Sequence, residues 1–374
     1  MTEFPFFLKN LDEWGANDYT ISKTEITQNG CDLRKQEKPM KVTISDVAKL
    51  AGVSTATVSH TINNTRYVSN ETKEKVYQAI GQLGYTPDAS ARSFRTGKKK
   101  TVGFIVPDIS SKFFGNMIEA VESCLAAQGY HLIIANSKED ADREENNIRL
   151  LTAGLVDGLL VASTMDDFKR FDALIPAGFP VVLVDRVFDV KKYPAVCVSN
   201  FQPIYRSVCR LAGRGRQRIG IIGGMPRLSS TRERIAAYRE AMQDCGLKVD
   251  DSMIRYKTED EQDTQRCLDE LLEQNCDAIV ICRTSLAADA LVYVHKRGIR
   301  LPDNLELVTF LDYDSSLNQI YAGQMDCIVQ PVEELGRVAG EQILARIENP
   351  DAPVFEKVLT SAYQPSGPAI PSAR

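Results

Sequence analysis

Residues 43–63 read TISDVAKLAGVSTATVSHTIN. Thr43, followed three positions later by Asp46, is a capping-box pattern, in which the two residues satisfy backbone N–H groups that a helix start leaves unpaired. Val47, Ala48 and Ala51 fall on one face of the helix that follows. Gly52 permits the left-handed backbone that a tight helix end needs. Ser54 caps a second helix, Thr55 to Asn63, which turns Val58 and Ile62 inward. Two helices joined by a short turn containing glycine make a helix-turn-helix. Working outward, Ser69 caps a third helix with Val76, Ala79, Ile80 and Leu83 at 3–4 spacing, and Gly84 ends it. Pro87-Asp88 opens a fourth helical stretch to Thr96, and Gly97 with Lys98, Lys99 and Lys100 closes the module.

The charge of the whole chain conceals what this module is for. The 374 residues carry a formal net charge of −5. Residues 41–100 hold ten Lys/Arg against four Asp/Glu, a net +6; residues 1–40 are at −2 and residues 101–374 at −9. A basic segment attached to an acidic body predicts a nucleic-acid reader on a body with a second job. A composition of 43% hydrophobic and 25% charged residues excludes wholesale disorder, collagen and coiled-coil rods. The polar residues 1–40 show no sustained period.

From residue 101 the pattern changes. Short apolar runs (Val102–Val106, His131–Ala135, Gly158–Val161, Val181–Val184, Ile219–Ile222, Ala278–Ile281, Leu307–Phe310) alternate with amphipathic stretches such as 113–128, 232–245, 262–274, 285–297 and 332–347. That alternation predicts parallel sheets covered on both faces. About 270 residues exceed one doubly wound sheet of ordinary size, so two similar lobes are expected. No internal sequence repeat accompanies them.

Several chemistries are excluded. Nine cysteines with no C-x-x-C indicate neither a disulfide framework nor a zinc site. The N-terminus lacks the features of a signal peptide, and no apolar run approaches a membrane span, so a cytoplasmic protein with no membrane partner is expected. Gly220-Ile-Ile-Gly223-Gly224 is not a dinucleotide fingerprint and reads as a close helix–strand turn. Glu139-Asp140 and Asp166-Asp167 read as solvated loop or cap acids. No catalytic constellation, metal site or cofactor is expected, hence no enzyme.

The run from Thr43 to Asn63 closely resembles the signature of the lactose-repressor (LacI/GalR) family. Val68-Ser69, Thr72, Val76, Leu83-Gly-Tyr-Thr-Pro87 and Ala91-Arg92-Ser93 resemble that family's third helix and hinge. The likeness continues through Val102-Gly-Phe-Ile-Val-Pro-Asp108 and Val156-Asp-Gly-Leu-Leu160. It implies an N-terminal all-α helix-turn-helix DNA-binding domain joined to an α/β two-lobed, periplasmic-binding-protein-like (type I) effector domain. It also implies a homodimer on a pseudo-palindromic double-stranded operator. Short donors and acceptors at a helix N-terminus reach base edges in a major groove. The resemblance gives that role to Thr55, Ala56 and His60, within a DNA-binding set that also holds Thr43, Ser54, Thr57, Ser59, Asn63, Arg66, Arg92 and Phe94. Thr57-Val-Ser-His60 resembles the purine-repressor version of the reading helix more than the lactose-repressor one. Phe94 stands where the family inserts a hinge leucine into the minor groove, and phenylalanine is itself a wedge type in such kinks. Family chains begin shortly before the capping threonine, so residues 1–40 are expected to be a disordered leader or an upstream extension.

Two parallel-sheet lobes bind ligands where strand C-termini face each other. The segments after the strands supply Arg186, Arg227, Arg232, Arg234 and Arg283, and guanidinium forks suit carboxylate or phosphate. The expected effector contacts are Phe113, Asp185, Arg186, Ser229, Arg234, Ser285 and Asp312. Gly223-x-x-Pro226-x-Leu228-Ser229 with Arg234, Thr284-Ser285 and Val308-Thr309-Phe310-x-Asp312 are similar to the fructose-type catabolite repressor branch.

The reading is a ligand-controlled transcriptional repressor of carbohydrate genes whose small-molecule effector is a sugar or sugar phosphate. The expected divisions are residues 41–86 for DNA, 87–100 for hinge and linker, and 101–374 for effector binding and dimerisation. Within the last, the N-lobe is expected at about 101–199 and 327–350, and the C-lobe at about 200–326 and 351–366. The rivals are a regulator answering to a protein corepressor or a purine, and a solute-binding protein that ignores DNA.

Overall fold

The computed structural model describes residues 42–86, 97–257, 263–311, 321 and 323–366. The leader at 1–40 and the site residues Arg92, Phe94 and Asp312 lie outside the described residues. The chain divides at residue 87 into two compact units.

The first unit holds three helices, α1 (Ile44–Ala51), α2 (Thr55–Asn63) and α3 (Asn70–Leu83). The Thr43 N–H and hydroxyl both donate to Asp46 Oδ2, at 2.9 and 2.7 Å. Gly52 takes φ 66° and ends α1, and the Val53 N–H reaches back to the Ala48 carbonyl at 3.0 Å. Ser54 accepts the Thr57 N–H at 3.0 Å and starts α2. Val47, Ala48, Val58, Val76 and Ala79 form the core, with Ile44, Val53, Ile62 and Leu83 packed around it. A core this small fixes the angle between α1 and α2 through a few side chains, chiefly Val47 and Val58.

The second unit begins with β1 (Thr101–Val106), α4 (Lys112–Ala126), β2 (His131–Asn136), α5 (Ala141–Thr152), β3 (Gly158–Val161), α6 (Phe168–Leu174), β4 (Val181–Val184) and β5 (Ala195–Ser199). It crosses to α7 (Phe201–Gly213), β6 (Ile219–Gly223), α8 (Ser229–Asp244), β7 (Ile254–Tyr256), α9 (Asp263–Glu273), β8 (Ala278–Ile281), α10 (Thr284–Lys296), β9 (Glu306–Phe310) and β10 (Asp326–Val329). It returns through α11 (Val332–Glu348) to β11 (Glu356–Thr360), then ends on β12 (Ala362–Gln364). One six-stranded sheet runs β11-β5-β4-β3-β1-β2 and the other β12-β10-β9-β8-β6-β7. Every pairing is parallel except β10 with β12. The two lobes thus share a strand plan that no sequence repeat announces.

The expected lobe boundaries need correction at two places. Strand β10 pairs with β9 and so belongs to the second sheet, not the first. Strand β11 pairs with β5 and belongs to the first sheet, not the second. The chain therefore passes between lobes at 199–201, 329–332 and 360–362. The central strands of each sheet are buried on both faces, as βαβ crossovers require, while the edge strands β2 and β11 are partly exposed.

Helices α4 and α11 pack in close contact on the first lobe. A Cβ at Gly336 would stand 2.6 Å from the Met117 carbonyl oxygen, and one at Gly340 would stand 2.9 Å from Cys124 Sγ. Two glycines spaced four apart on α11 let the helix backbones approach.

Candidate DNA-reading face and effector cleft

In the first unit Ser54, Thr55 and Ala56 are exposed at the N-terminus of α2, while Thr57, Ser59, His60 and Asn63 are half-buried. Several of these side chains have local partners. Thr43 is committed to Asp46, Thr57 Oγ1 lies 2.9 Å from Ser54 Oγ, and Asn63 Nδ2 donates to the Ser59 carbonyl at 2.8 Å. His60 Nδ1 sits 2.8 Å from Thr65 Oγ1, which orients the ring. Arg66 is exposed, and beside it Tyr67 is 95% exposed, a residue the sequence reading passed over. A tyrosine presented so fully, next to an arginine, suits a phosphate or sugar contact. Its signal in the sequence was weak, because Tyr67 lies in the loop after α2 and outside the apolar period.

In the second unit the cleft forms where strands of both sheets end. Beyond β4 the backbone turns sharply, with Asp185 at φ 64°, and this aims Asp185 and Arg186 into it. Arg186 is buried and donates from Nη1 and Nη2 to both carboxylate oxygens of Glu139, at 2.7 and 2.8 Å. From the other lobe, Arg283 Nη2 stands 3.6 Å from Glu139 Oε1, and Arg227 Nη2 donates to the Glu139 carbonyl at 3.1 Å. Arg234 donates from Nη1 to the Cys282 carbonyl at 2.7 Å and lies 4.5 Å over the Phe310 ring. Its Nε is buried and unpartnered among the described residues. Ser229 Oγ accepts the Val187 N–H at 3.3 Å, a bond from one lobe to the other.

Glu139 was expected to be solvated; the structure corrects this. Its side chain is 14% exposed and lies among three arginines. Burial works against its charged form, yet the Arg186 hydrogen bonds and the charges of Arg186, Arg283 and Arg227 hold its carboxyl below the ordinary value. Glu139 and Lys138 have φ of 58° and 52°, a left-handed pair that non-glycine residues rarely adopt and that costs roughly 1–3 kcal/mol per residue. Its neighbour Asp140 does behave as a cap, accepting the Asp142 and Arg143 N–H groups at 2.8 and 2.9 Å. Asp167 caps α6 likewise. For Asp185, burial pushes the carboxyl above its ordinary value, against the charges of Arg186, Arg234 and Arg283.

Phe113, Asp185, Arg186, Arg234 and Ser285 line one recess of about 60 Å³. Ser229 lines a second, of about 150 Å³, which shares Arg186 and adds Ser163, Phe168, Phe188 and Arg227. Both are far smaller than the roughly 300–1,000 Å³ of small-molecule sites. The lobes must part, or the Glu139 pair must yield, before a sugar-sized ligand enters. Phe114 is core, and Phe113 meets it edge-on at 5.1 Å between ring centroids. A wider concavity of about 1390 Å³ runs along α4 and α11. Its lining mixes Lys112, Glu119, Glu333, Arg337 and Glu341, and it lacks the convergent guanidiniums of the cleft.

Behind the cleft the three crossovers meet at Asn200, which is fully buried. Ser361 donates its hydroxyl to Asn200 Oδ1 at 2.7 Å, and Gln330 Nε2 lies 3.4 Å from the same oxygen. The Asn200 N–H donates to the Glu233 carboxylate, which also accepts the Ser199 hydroxyl at 2.7 Å. One residue from each crossover thus shares a single polar knot.

Among the described residues no cluster of His, Cys, Asp and Glu could hold a metal, and no helix is long and apolar enough to cross a membrane.

Residues 43–88 match the family model described as bacterial regulatory proteins, lacI family, and residues 99–363 match that of periplasmic binding proteins and sugar binding domain of LacI family. An HTH-type transcriptional repressor PurR of Haemophilus influenzae (strain PittEE) is 32% identical over 312 residues, spanning 83% of this chain and 92% of the relative. A ribose operon repressor of Haemophilus influenzae is 32% identical over 311 residues, spanning 83% and 93%. Among solved structures, the transcriptional regulator CelR–cellobiose complex aligns at TM-score 0.65 and 26% identity, covering 87% of this chain and all of that one. The lac repressor dimer bound to operator and the anti-inducer ONPF aligns at TM-score 0.74 and 20% identity, covering 87% and 98%, a likeness of fold. With a reading helix ahead of a two-lobed cleft, and family models matching both parts, the chain belongs to the LacI family of bacterial transcriptional repressors.

Proposed function

We propose that this repressor binds a pseudo-palindromic operator as a homodimer and that a small anionic effector, a sugar phosphate, controls it from the cleft. The observation that carries the effector class is the charge of the cleft. Four guanidiniums, those of Arg186, Arg227, Arg234 and Arg283, converge there, with the carboxyls of Glu139, Asp185, Glu144 and Asp108 near them among the described residues. Arginine forks favour phosphate or carboxylate geometry, and burial, which pushes the Asp185 and Glu144 carboxyls above their ordinary values, weakens their competition for those forks. Ser285 and Thr284 at the start of α10, with Ser230 and Thr231, give sugar hydroxyls their partners. Asp312 is proposed to bind hydroxyls as well.

On the DNA side Thr55, Ala56 and His60 read base edges, with Nε2 of His60 left for a guanine acceptor. Ser54, Ser59, Asn63, Arg66, Arg92 and Tyr67 serve the phosphates, and Phe94 wedges the central step. Phe94→Ala lowers operator affinity and reduces the DNA bend; unchanged affinity and bend in a gel-shift phasing assay remove the wedge role.

A purine corepressor is the second reading. It is favoured by the relatives named PurR and by Phe113, whose ring lines the recess and could stack on a base. A panel of sugar phosphates, neutral sugars and purine bases, added to a gel shift on an operator fragment, separates the two. Release or tightening by sugar phosphates alone supports the anionic reading, and a response to purines alone replaces it.

A further inference from the structure

We propose that Glu139 is an internal anion seated in the effector's anion subsite, so that an anionic effector binds by displacing it; this rests on the anionic reading of the cleft. Arg186 donates both terminal nitrogens to the two Glu139 oxygens, the fork geometry in which an arginine grips a phosphate or carboxylate ligand. Arg283 reaches the same carboxylate from the opposite lobe, and Arg227 holds the Glu139 carbonyl. Removal of Glu139 would leave the guanidiniums of Arg186 and Arg283 facing each other under burial with their nearest remaining carboxylate, Asp185, at 4.0 Å from Arg186 Nε, an arrangement that favours a second anion. The side chain is therefore in the place where a ligand's charge is wanted.

Its backbone is consistent with a displaceable group. Lys138 and Glu139 sit at φ 52° and 58° in the short loop between β2 and α5, whose backbone is held by the Glu139 N–H on the Pro107 carbonyl and the Lys138 N–H on Asn136 Oδ1, each at 3.1 Å, while the Glu139 carboxylate is held by the arginines. Once an effector phosphate took Arg186 and Arg283, the Glu139 side chain would swing out to solvent on a backbone those bonds still hold. Glu139 belongs to the first lobe while Arg227 and Arg283 belong to the second, so the contact also latches one lobe to the other. The latch makes Glu139 a specificity-determining residue. A neutral sugar cannot replace the carboxylate on the arginines, whereas an anion can.

Isothermal titration of inorganic phosphate into the full chain and into Glu139→Gln and Glu139→Ala tests this, with fructose as neutral control. Melting temperature and operator binding establish that each variant is folded. Phosphate is expected to bind both variants about tenfold more tightly than the parent chain, the ordinary scale of coupling between two groups that compete. Fructose affinity should not change. Equal phosphate affinity in all three proteins overturns the competition and leaves the anionic cleft standing. Weaker binding in the variants overturns it too, making Glu139 a support for the site. Phosphate binding by none of the three overturns both the inference and the anionic reading beneath it.

Discussion

Glu144 on α5 is fully buried, and its two carboxylate oxygens accept the Ser163 hydroxyl at 2.6 Å, the Thr164 N–H at 2.5 Å and the Thr164 hydroxyl at 2.6 Å. Burial pushes its pKa above the ordinary 4.5 in spite of these donors. A carboxyl whose folded pKa is raised stabilises the fold fully below its unfolded pKa, and that contribution is lost as pH rises through the folded value. Glu144→Gln keeps the shape but offers one acceptor oxygen, so that either the Ser163 hydroxyl or the Thr164 pair loses its acceptor at a cost of about 1–3 kcal/mol. The parent chain should therefore melt above the variant at pH 5, with the gap narrowing towards pH 8. A gap that stays constant or widens in thermal melts refutes the buried, raised carboxyl. At this scale the sequence was partly legible. The Thr43–Asp46 box, the Ser54 cap and the left-handed Gly52 are local patterns, and each forms as read. Glu139 was misread because its partner Arg186 lies 47 residues away. No local pattern reveals a pairing that depends on two strand ends meeting. Glu144, three positions into a helix of charged residues, hid for the same reason.

The elements that were easiest to see are the doubly covered central strands. Gly158–Val161, Val181–Val184 and Ala278–Ile281 are unbroken apolar runs, buried at every position. Strands β10, β11 and β12 escaped notice. They are three to five residues long, and β11 is exposed at four of its five positions as an edge strand, so hydrophobicity does not mark it. That is why the lobe boundaries were misplaced around residues 326–329 and 356–360. The contact of α4 with α11 makes its own demand. At Gly336 a Cβ would meet the Met117 carbonyl, a backbone atom that no rotamer change can move aside. Gly336→Ala is expected to separate the helices and destabilise the second unit by roughly 1–3 kcal/mol. A melting temperature equal to or above that of the parent chain contradicts this packing. The knot at Asn200 is a similar device at the crossovers, where the Ser361 and Gln330 partners bond across chain segments that any lobe motion must flex.

Across the whole molecule, the charge division read at the start falls past the division into two units: of the +6 on residues 41–100, +2 lies on 41–87 in the first unit and +4 on 88–100 at the start of the second. The +6 segment spans the helical unit and the hinge, while the −9 body holds the buried arginines of the cleft. Operator binding should accordingly weaken steeply with salt, since phosphate contacts release counterions, while the cleft's buried pairs are screened far less. The fold and the family were legible in the helix-turn-helix and in the strand–helix alternation. The effector was not, because the resemblance fixes where a ligand binds and leaves its chemistry to side chains such as Arg186, Arg283 and Ser285. The most direct test begins with an operator selected from random double-stranded DNA. Fluorescence anisotropy on that operator then compares the full chain alone, with fructose, with fructose phosphates and with purine bases. The account predicts recovery of a pseudo-palindromic site, salt-sensitive binding, and an affinity shifted at least about fivefold by a sugar phosphate but not by fructose or purines. Failure to select any site, or a response confined to purines or neutral sugars, contradicts it.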